Sequence, residues 1–204
     1  MNLFIDGPAG QLEAYLTPTE QSNAPFVIIC HPHPQHGGTM TNKVVTTTAR
    51  AMQKLNASTL LFNFRGVGKS EGEFDNQIGE VQDALAVLDW ALNNKQPEQA
   101  VWIAGFSFGA FVAASVANQR SDTIQQLLTL APVLGHSDYT QLTQIQCPWH
   151  AIVGDNDEFV SVEELQHFQQ SHPIPMTLQV MDDACHYFHG KLIPLREHIV
   201  AHYS

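Results

Sequence analysis

The sequence predicts an α/β fold, a mostly parallel central sheet with helices on both faces and an antiparallel edge at its N-terminal side. Three observations predict it. Phe26–Cys30 is an unbroken apolar run after Pro25, the pattern of a strand buried on both faces and therefore of a parallel sheet. Further apolar runs at Thr59–Phe64, Ala100–Ala104 and Trp149–Val153 are separated by segments with apolar residues at helical spacing. Polar and glycine-rich clusters follow several of these runs, at the strand ends where ligands of such sheets bind.

In chain order, Asn2–Ile5 and Gly10–Leu16 alternate in polarity around Asp6-Gly7-Pro8-Ala9-Gly10, which predicts a hairpin. After the strand at Phe26–Cys30, Thr41–Leu55 places Val45, Ala49 and Met52 on one helical face, and Thr59–Phe64 completes a βαβ unit. Arg65–Gly72 is a loop. Ile78, Val81, Leu85, Leu88 and Leu92 then recur at helical spacing up to Asn93-Asn94. The strand Ala100–Ala104, a turn at Ser107, a helix from Ala110 to Asn118 and a strand at Ile124–Leu130 continue the alternation. So do the strand Trp149–Val153, the helix Val162–Ser171 and the strand Thr177–Met181. The last helix carries Leu192, Leu195, Ile199 and Tyr203, with Pro194 tolerated in its first turn.

A chain of 204 residues suits one domain with a full core, spanning residues 1–204. Twenty acidic residues against nine basic ones give a formal charge of −11, which repels nucleic-acid phosphates and anionic membrane surfaces. The N-terminus lacks a basic segment followed by an apolar one, and no apolar run reaches membrane-spanning length. Cys30, Cys147 and Cys185 are odd in number and far apart, as reduced thiols are. A soluble cytoplasmic protein, without nucleic-acid or membrane partners, is the expectation.

The chemistry centres on Gly105-Phe106-Ser107-Phe108-Gly109. In G-x-S-x-G the serine sits on a sharp strand-to-helix turn, and glycines flank it because a Cβ there would collide with the neighbouring elements. Such a turn lifts the hydroxyl out of the sheet beside a helix N-terminus, where developing negative charge is favoured. A serine nucleophile needs a base within hydrogen-bond reach and a carboxylate to orient it. Candidate acids, Asp155 and Asp157, follow the strand Trp149–Val153; candidate bases, His186 and His189, follow Thr177–Met181. Asp182 and Asp183 read as a solvated turn.

The chain resembles the α/β-hydrolase superfamily, and within it the small capless bacterial serine hydrolases related to dienelactone hydrolases, esterases and acyl-peptidases. The resemblance runs from Phe26 onward, through His31-Pro32-His33-Pro34-Gln35-His36-Gly37-Gly38, Phe62–Ser70, Gly105–Gly109, Gly154-Asn156-Asp157-Val160 and Cys185-His186-Tyr187-Phe188. It implies Ser107 as nucleophile, Asp157 as the orienting acid and His186 as the base, in the family order Ser, Asp, His. Dienelactone hydrolases carry cysteine at the nucleophile; here it is serine. Two backbone N–H groups must face the tetrahedral oxygen. Phe108, next after the nucleophile, supplies one; in Pro32–Pro34 only His33 has an N–H and is expected to supply the other. The implied activity is a carboxylesterase-like hydrolysis of small ester, thioester or lactone substrates through an acyl-enzyme, with no cofactor. Too few residues separate Leu130 from Cys147 for a cap, so the pocket is expected to be open, with Arg65, Phe106, Tyr139, Tyr187 and Phe188 as candidate lining residues.

Other readings compete. His31, His33 and His36 imitate a metal-ligand cluster of a metal-dependent hydrolase, although the acidic position of that pattern is Gln35 and Ser107 would be left idle. Asn63–Ser70 imitates a phosphate-binding loop, but its first glycine is Asn63 and Glu71 and Glu73 follow it. Cys185 beside His186 reads as a buried structural thiol, and His150, His167 and His198 as surface or satisfied core residues. An inactive hydrolase fold used for binding is the further alternative.

Overall fold

The computed structural model describes residues 1–204. Eight strands form one sheet in the order β1-β2-β4-β3-β5-β6-β7-β8. They are β1 (Asn2–Gly7), β2 (Gly10–Thr17), β3 (Phe26–Cys30), β4 (Ser58–Phe62), β5 (Val101–Phe106), β6 (Ile124–Leu130), β7 (Trp149–Gly154) and β8 (Met176–Met181). The predicted hairpin is the antiparallel edge: β1 pairs with β2 and β2 with β4, and every other pairing is parallel. All five residues of β3 are buried, as its apolar run requires.

Five helices cover the sheet: α1 (Lys43–Lys54), α2 (Ile78–Asn94), α3 (Phe108–Gln119), α4 (Val162–Ser171) and α5 (Leu192–Tyr203). One core packs α1 and α5 against one face through Val44, Val45, Met52, Leu195 and Ile199. A larger core packs α2, α3 and Phe168 of α4 against the other. Helix α3 is buried from Phe108 to Ala117 except for the partly buried Phe111, because its small and apolar residues leave no polar face.

Sequence-derived bounds differ from the structure at two functional positions. β4 stops at Phe62 because the Phe64 N–H donates to His31 Nε2 (3.1 Å) instead of the strand ladder. β5 extends to Phe106 and α3 starts at Phe108, because Ser107 makes the whole turn alone with φ 55° and ψ −117°. From β3 the chain crosses to β4 on one side, and β5 lies on the other, so the order reverses between β3 and β5. The loops leaving these two strands carry His33 and Ser107, at the crevice where ligands of such sheets bind.

Candidate active site

Ser107 holds a positive φ that non-glycine residues adopt only under constraint, a strain of about 1–3 kcal/mol. The constraint is visible. Its N–H donates to Leu130 O of β6 (2.8 Å), and its carbonyl accepts from Ala110 N (2.9 Å). A Cβ on Gly109 would lie 2.5 Å from the carbonyl oxygens of Cys30 and His31, and one on Gly105 would run into Gly109 itself. Both flanking glycines are therefore spatial requirements, and the close packing brings the first turn of α3 against the exit of β3.

His186 Nε2 lies 2.9 Å from Ser107 Oγ, and His186 Nδ1 lies 2.8 Å from Asp157 Oδ2. The aspartate side chain is fully buried and the histidine nearly so, 0% and 3% exposed, which shields the pair from solvent. The loop after β7 fixes Asp157, whose Oδ1 accepts from Phe159 N (2.9 Å) and Val160 N (3.2 Å). Glu158 steadies the other loop by accepting the His186 N–H at 3.0 Å, and that bond holds its carboxyl below the usual range. The imidazole lies between the rings of Phe106 (5.3 Å) and Phe159 (4.7 Å). Asp155 is exposed, as is His189, so of the two candidate acids and two candidate bases only Asp157 and His186 meet at Ser107. Asp182 and Asp183 form an exposed turn.

The loop after β3 is braced by His31. Its Nε2 accepts from Phe64 N and its Nδ1 lies 2.7 Å from Pro32 O; burial pushes the imidazole down to about 4. Both ring nitrogens are thus engaged with backbone, while the His33 and His36 rings stack on each other at 4.4 Å. The three histidines do not converge, and no group of three or more His, Cys, Asp or Glu side chains is arranged to hold a metal ion. His33 places its ring 4.9 Å from Phe108. Its N–H has no acceptor within the protein, and Phe108, as the first residue of α3, has no intrahelical one.

Ser107 and His186 open into a pocket of ≈ 580 Å³ whose lining includes Pro32, His33 and Phe108. Of the expected lining residues only Tyr187 is there. Phe106 and Phe188 are fully buried, and Tyr139 sits in the larger core against Phe111 and Trp149. Arg65 is buried too, because Asp83 of α2 receives its backbone N–H at 2.9 Å and its guanidinium at 2.7 Å, and the guanidinium bond raises its pKa. Arg65 is therefore not the pocket-lining residue its loop suggests; Asp83, a charge beside the apolar stripe of α2, is the signal in the sequence. Residues it missed include Gln77, Phe159 and the segment around Gly135.

The imitation phosphate loop is structural. No helix follows Ser70; its hydroxyl donates to Asn63 O (2.7 Å) and accepts from Glu13 N (2.9 Å), stitching the loop to β2. Two further readings need correction. Cys185 is half-buried, since it lies on the surface side of the His186 turn. His150 is buried but not satisfied: its Nδ1 has no partner, because its ring stacks on His202 at 3.7 Å.

A parallel sheet with its strand order reversed at a strained serine, and a shielded imidazole beside that serine, define an α/β serine hydrolase without a lid. The chain belongs to the X-Pro dipeptidyl-peptidase (S15) family, whose pattern residues 15–172 match. That stretch includes Ser107 and Asp157 and stops short of His186. The whole chain is 44% identical to an α/β serine hydrolase homologue from Coxiella burnetii, over 100% of this chain and 97% of that one, with a TM-score of 0.94. An α/β serine hydrolase without lid from Xanthomonas campestris is 37% identical, covering 100% and 94% of the two chains, with a TM-score of 0.90. A protein of Rickettsia prowazekii (strain Madrid E), described as uncharacterized, is 35% identical over 93% of this chain and 82% of its own length. No helix is long and apolar enough to cross a membrane.

Proposed function

We propose that this hydrolase is a carboxylesterase for small esters, thioesters or lactones, with Ser107, His186 and Asp157 as its catalytic triad. The observation that carries the reading is the continuous contact from Asp157 Oδ2 through His186 to Ser107 Oγ, 2.8 Å and 2.9 Å, at the floor of an open pocket. Ser107 Oγ attacks the carbonyl carbon as its proton passes to His186 Nε2. Asp157 holds the imidazolium, and the N–H groups of Phe108 and His33 receive the oxyanion. Collapse breaks the bond to the leaving group, which takes the proton from Nε2. Water then attacks the acyl-enzyme with His186 again as base, releasing the acid and restoring the Ser107 hydroxyl.

The lining favours an ester over an X-Pro dipeptide. A dipeptidyl-peptidase must hold the free α-ammonium of its substrate, and a buried cation needs an anionic partner. None of the 16 lining residues is an aspartate or glutamate.

Labelling with a fluorophosphonate, located by mass spectrometry, tests the nucleophile, and p-nitrophenyl esters set against Gly-Pro-p-nitroanilide test the substrate class. The expected result is phosphonylation at Ser107, ester turnover, no release of p-nitroaniline, and loss of label and turnover in Ser107→Ala. Turnover retained by Ser107→Ala would overturn the mechanism; preference for the Gly-Pro substrate would overturn the ester assignment.

A further inference from the structure

One wall of the pocket is formed by Val133, Gly135, His136 and Ser137, in the segment between β6 and β7. The same Gly135, His136 and Ser137 line a second hollow of ≈ 390 Å³ on their other side, which reaches Tyr139 and Phe168. The turn is therefore a partition one chain thick. Val133 is buried and Leu134 packs against the core, so it is Gly135–Ser137 whose position depends on hydrogen bonds. The bond that closes the single helical turn at Leu134–His136, Ser137 N–H to Leu134 O, is long at 3.4 Å, and nothing within 4 Å packs against the Cβ position of Gly135.

Apart from Tyr139 N–H to Ser137 O (3.0 Å) in the same loop, the hydrogen bonds that reach residues 133–137 from elsewhere come from Gln77. Its Nε2 donates to Ser137 Oγ at 2.8 Å and to His136 O at 3.2 Å, across the mouth of the pocket it also lines. Gln77 is itself built into this position at a cost. Asn76 and Gln77 both hold positive φ, 49° and 79°, in a region that neither a following helix nor a turn of ordinary residues prefers. The buried carboxylate of Glu80 enforces it by accepting the N–H groups of Asp75 (2.9 Å) and Gln77 (2.8 Å). The buried Arg65–Asp83 pair beneath α2 fixes that helix start against the loop after β4, and the Arg65 guanidinium occupies the space that a Cβ on Gly79 would need.

We propose that Gln77 is a specificity-determining latch: its carboxamide holds the 133–137 turn as a partition that caps the length of substrate the pocket accepts. This rests on Ser107 as the nucleophile. Released from Gln77, the turn swings toward the second hollow, and the two spaces join into one that takes a longer acyl or alkoxyl chain.

The test compares wild type with Gln77→Ala, Gln77→Glu and Ser137→Ala in two measurements. The first is native-state thermolysin cleavage between residues 132 and 139, mapped by mass spectrometry, which reports the opening of the turn without any substrate. Loss of the two bonds should raise that rate about tenfold in Gln77→Ala, with smaller rises in Ser137→Ala, which keeps the bond to His136 O, and in Gln77→Glu, whose carboxylate cannot donate to His136 O but can accept the Ser137 hydroxyl. The second is kcat/KM for p-nitrophenyl esters from acetate to octanoate and for ethyl to octyl acetates. In Gln77→Ala the long-to-short ratio of one of the two series should rise about tenfold through KM. Unchanged cleavage in Gln77→Ala, or cleavage equally accelerated throughout the chain, overturns the latch. Faster local cleavage with both ratios unchanged overturns its role in specificity. If wild type turns over no ester, it is the ester assignment that fails, and the cleavage rates still decide the latch.

Discussion

Replacing Asp157 with asparagine tests the site at the point where two carboxylates, Asp155 and Asp157, follow the same strand. The substitution keeps shape and removes charge. Because Phe159 N–H and Val160 N–H both bond to Oδ1, at 2.9 Å and 3.2 Å, the new carboxamide keeps its oxygen there. Its NH₂ then takes the place of Oδ2, 2.8 Å from His186 Nδ1. A donor facing Nδ1 forces the imidazole to carry its proton on Nε2, the nitrogen that lies 2.9 Å from Ser107 Oγ. That nitrogen can no longer accept the serine proton. The expected loss in kcat is about 10⁴, or about 5.5 kcal/mol at about 1.36 kcal/mol per decade. Asp155→Asn alters an exposed side chain that touches neither His186 nor Ser107, and its effect should stay within about twofold. Initial rates on p-nitrophenyl acetate, with circular-dichroism melts to confirm folding, make the comparison. Asp157→Asn within tenfold of wild type, or an equal loss in Asp155→Asn, would refute the reasoning.

Three further predictions concern the scaffold. Acid should weaken the fold through His31, whose pKa burial lowers to about 4 from an unfolded value of about 6.5. Between those values the unfolded chain binds the extra proton, so stability present above about 6.5 is lost as pH falls toward 4, by about 3 kcal/mol from this group. His150 is lowered to about 4 in the same direction, by burial first and by His202 and His198 after it. His150→Phe removes the unpaired Nδ1 and should raise the melting temperature by about 2–4 °C while flattening the acid response; urea midpoints above and below that window measure both. An acid response unchanged in His150→Phe would refute the contribution of His150. Gly109→Ala would put a methyl 2.5 Å from the Cys30 and His31 carbonyls and should cost about 1–3 kcal/mol. Because the strain falls between Phe108 and the His33 loop, activity should fall more than stability; wild-type turnover in a folded Gly109→Ala protein would contradict that geometry.

Much of the fold was legible because its strands are short apolar runs and its helices carry regular apolar stripes. The errors cluster where contact partners are distant in sequence. Arg65 sits in a glycine-rich loop that looks solvated, and only the approach of α2 brings Asp83 to it. Tyr139, an aromatic in a polar stretch, resembled a rim residue until the packing against Phe111 and Trp149 drew it inside. Phe64 extends an apolar run, yet its N–H is captured by His31, 33 residues earlier, and leaves the strand.

By itself the sequence determined the parallel sheet, the turn at Ser107 and the order of serine, acid and base, because apolar periodicity and glycine spacing are local properties of a chain. Between Asp155 and Asp157, or His186 and His189, periodicity is silent; the resemblance to α/β-hydrolases favours Asp157 and His186, and the loops after β7 and β8 bring those two together at Ser107. The width of the pocket was likewise decided in three dimensions. It depends on a glutamine ahead of α2 reaching a turn between β6 and β7, 60 residues away along the chain.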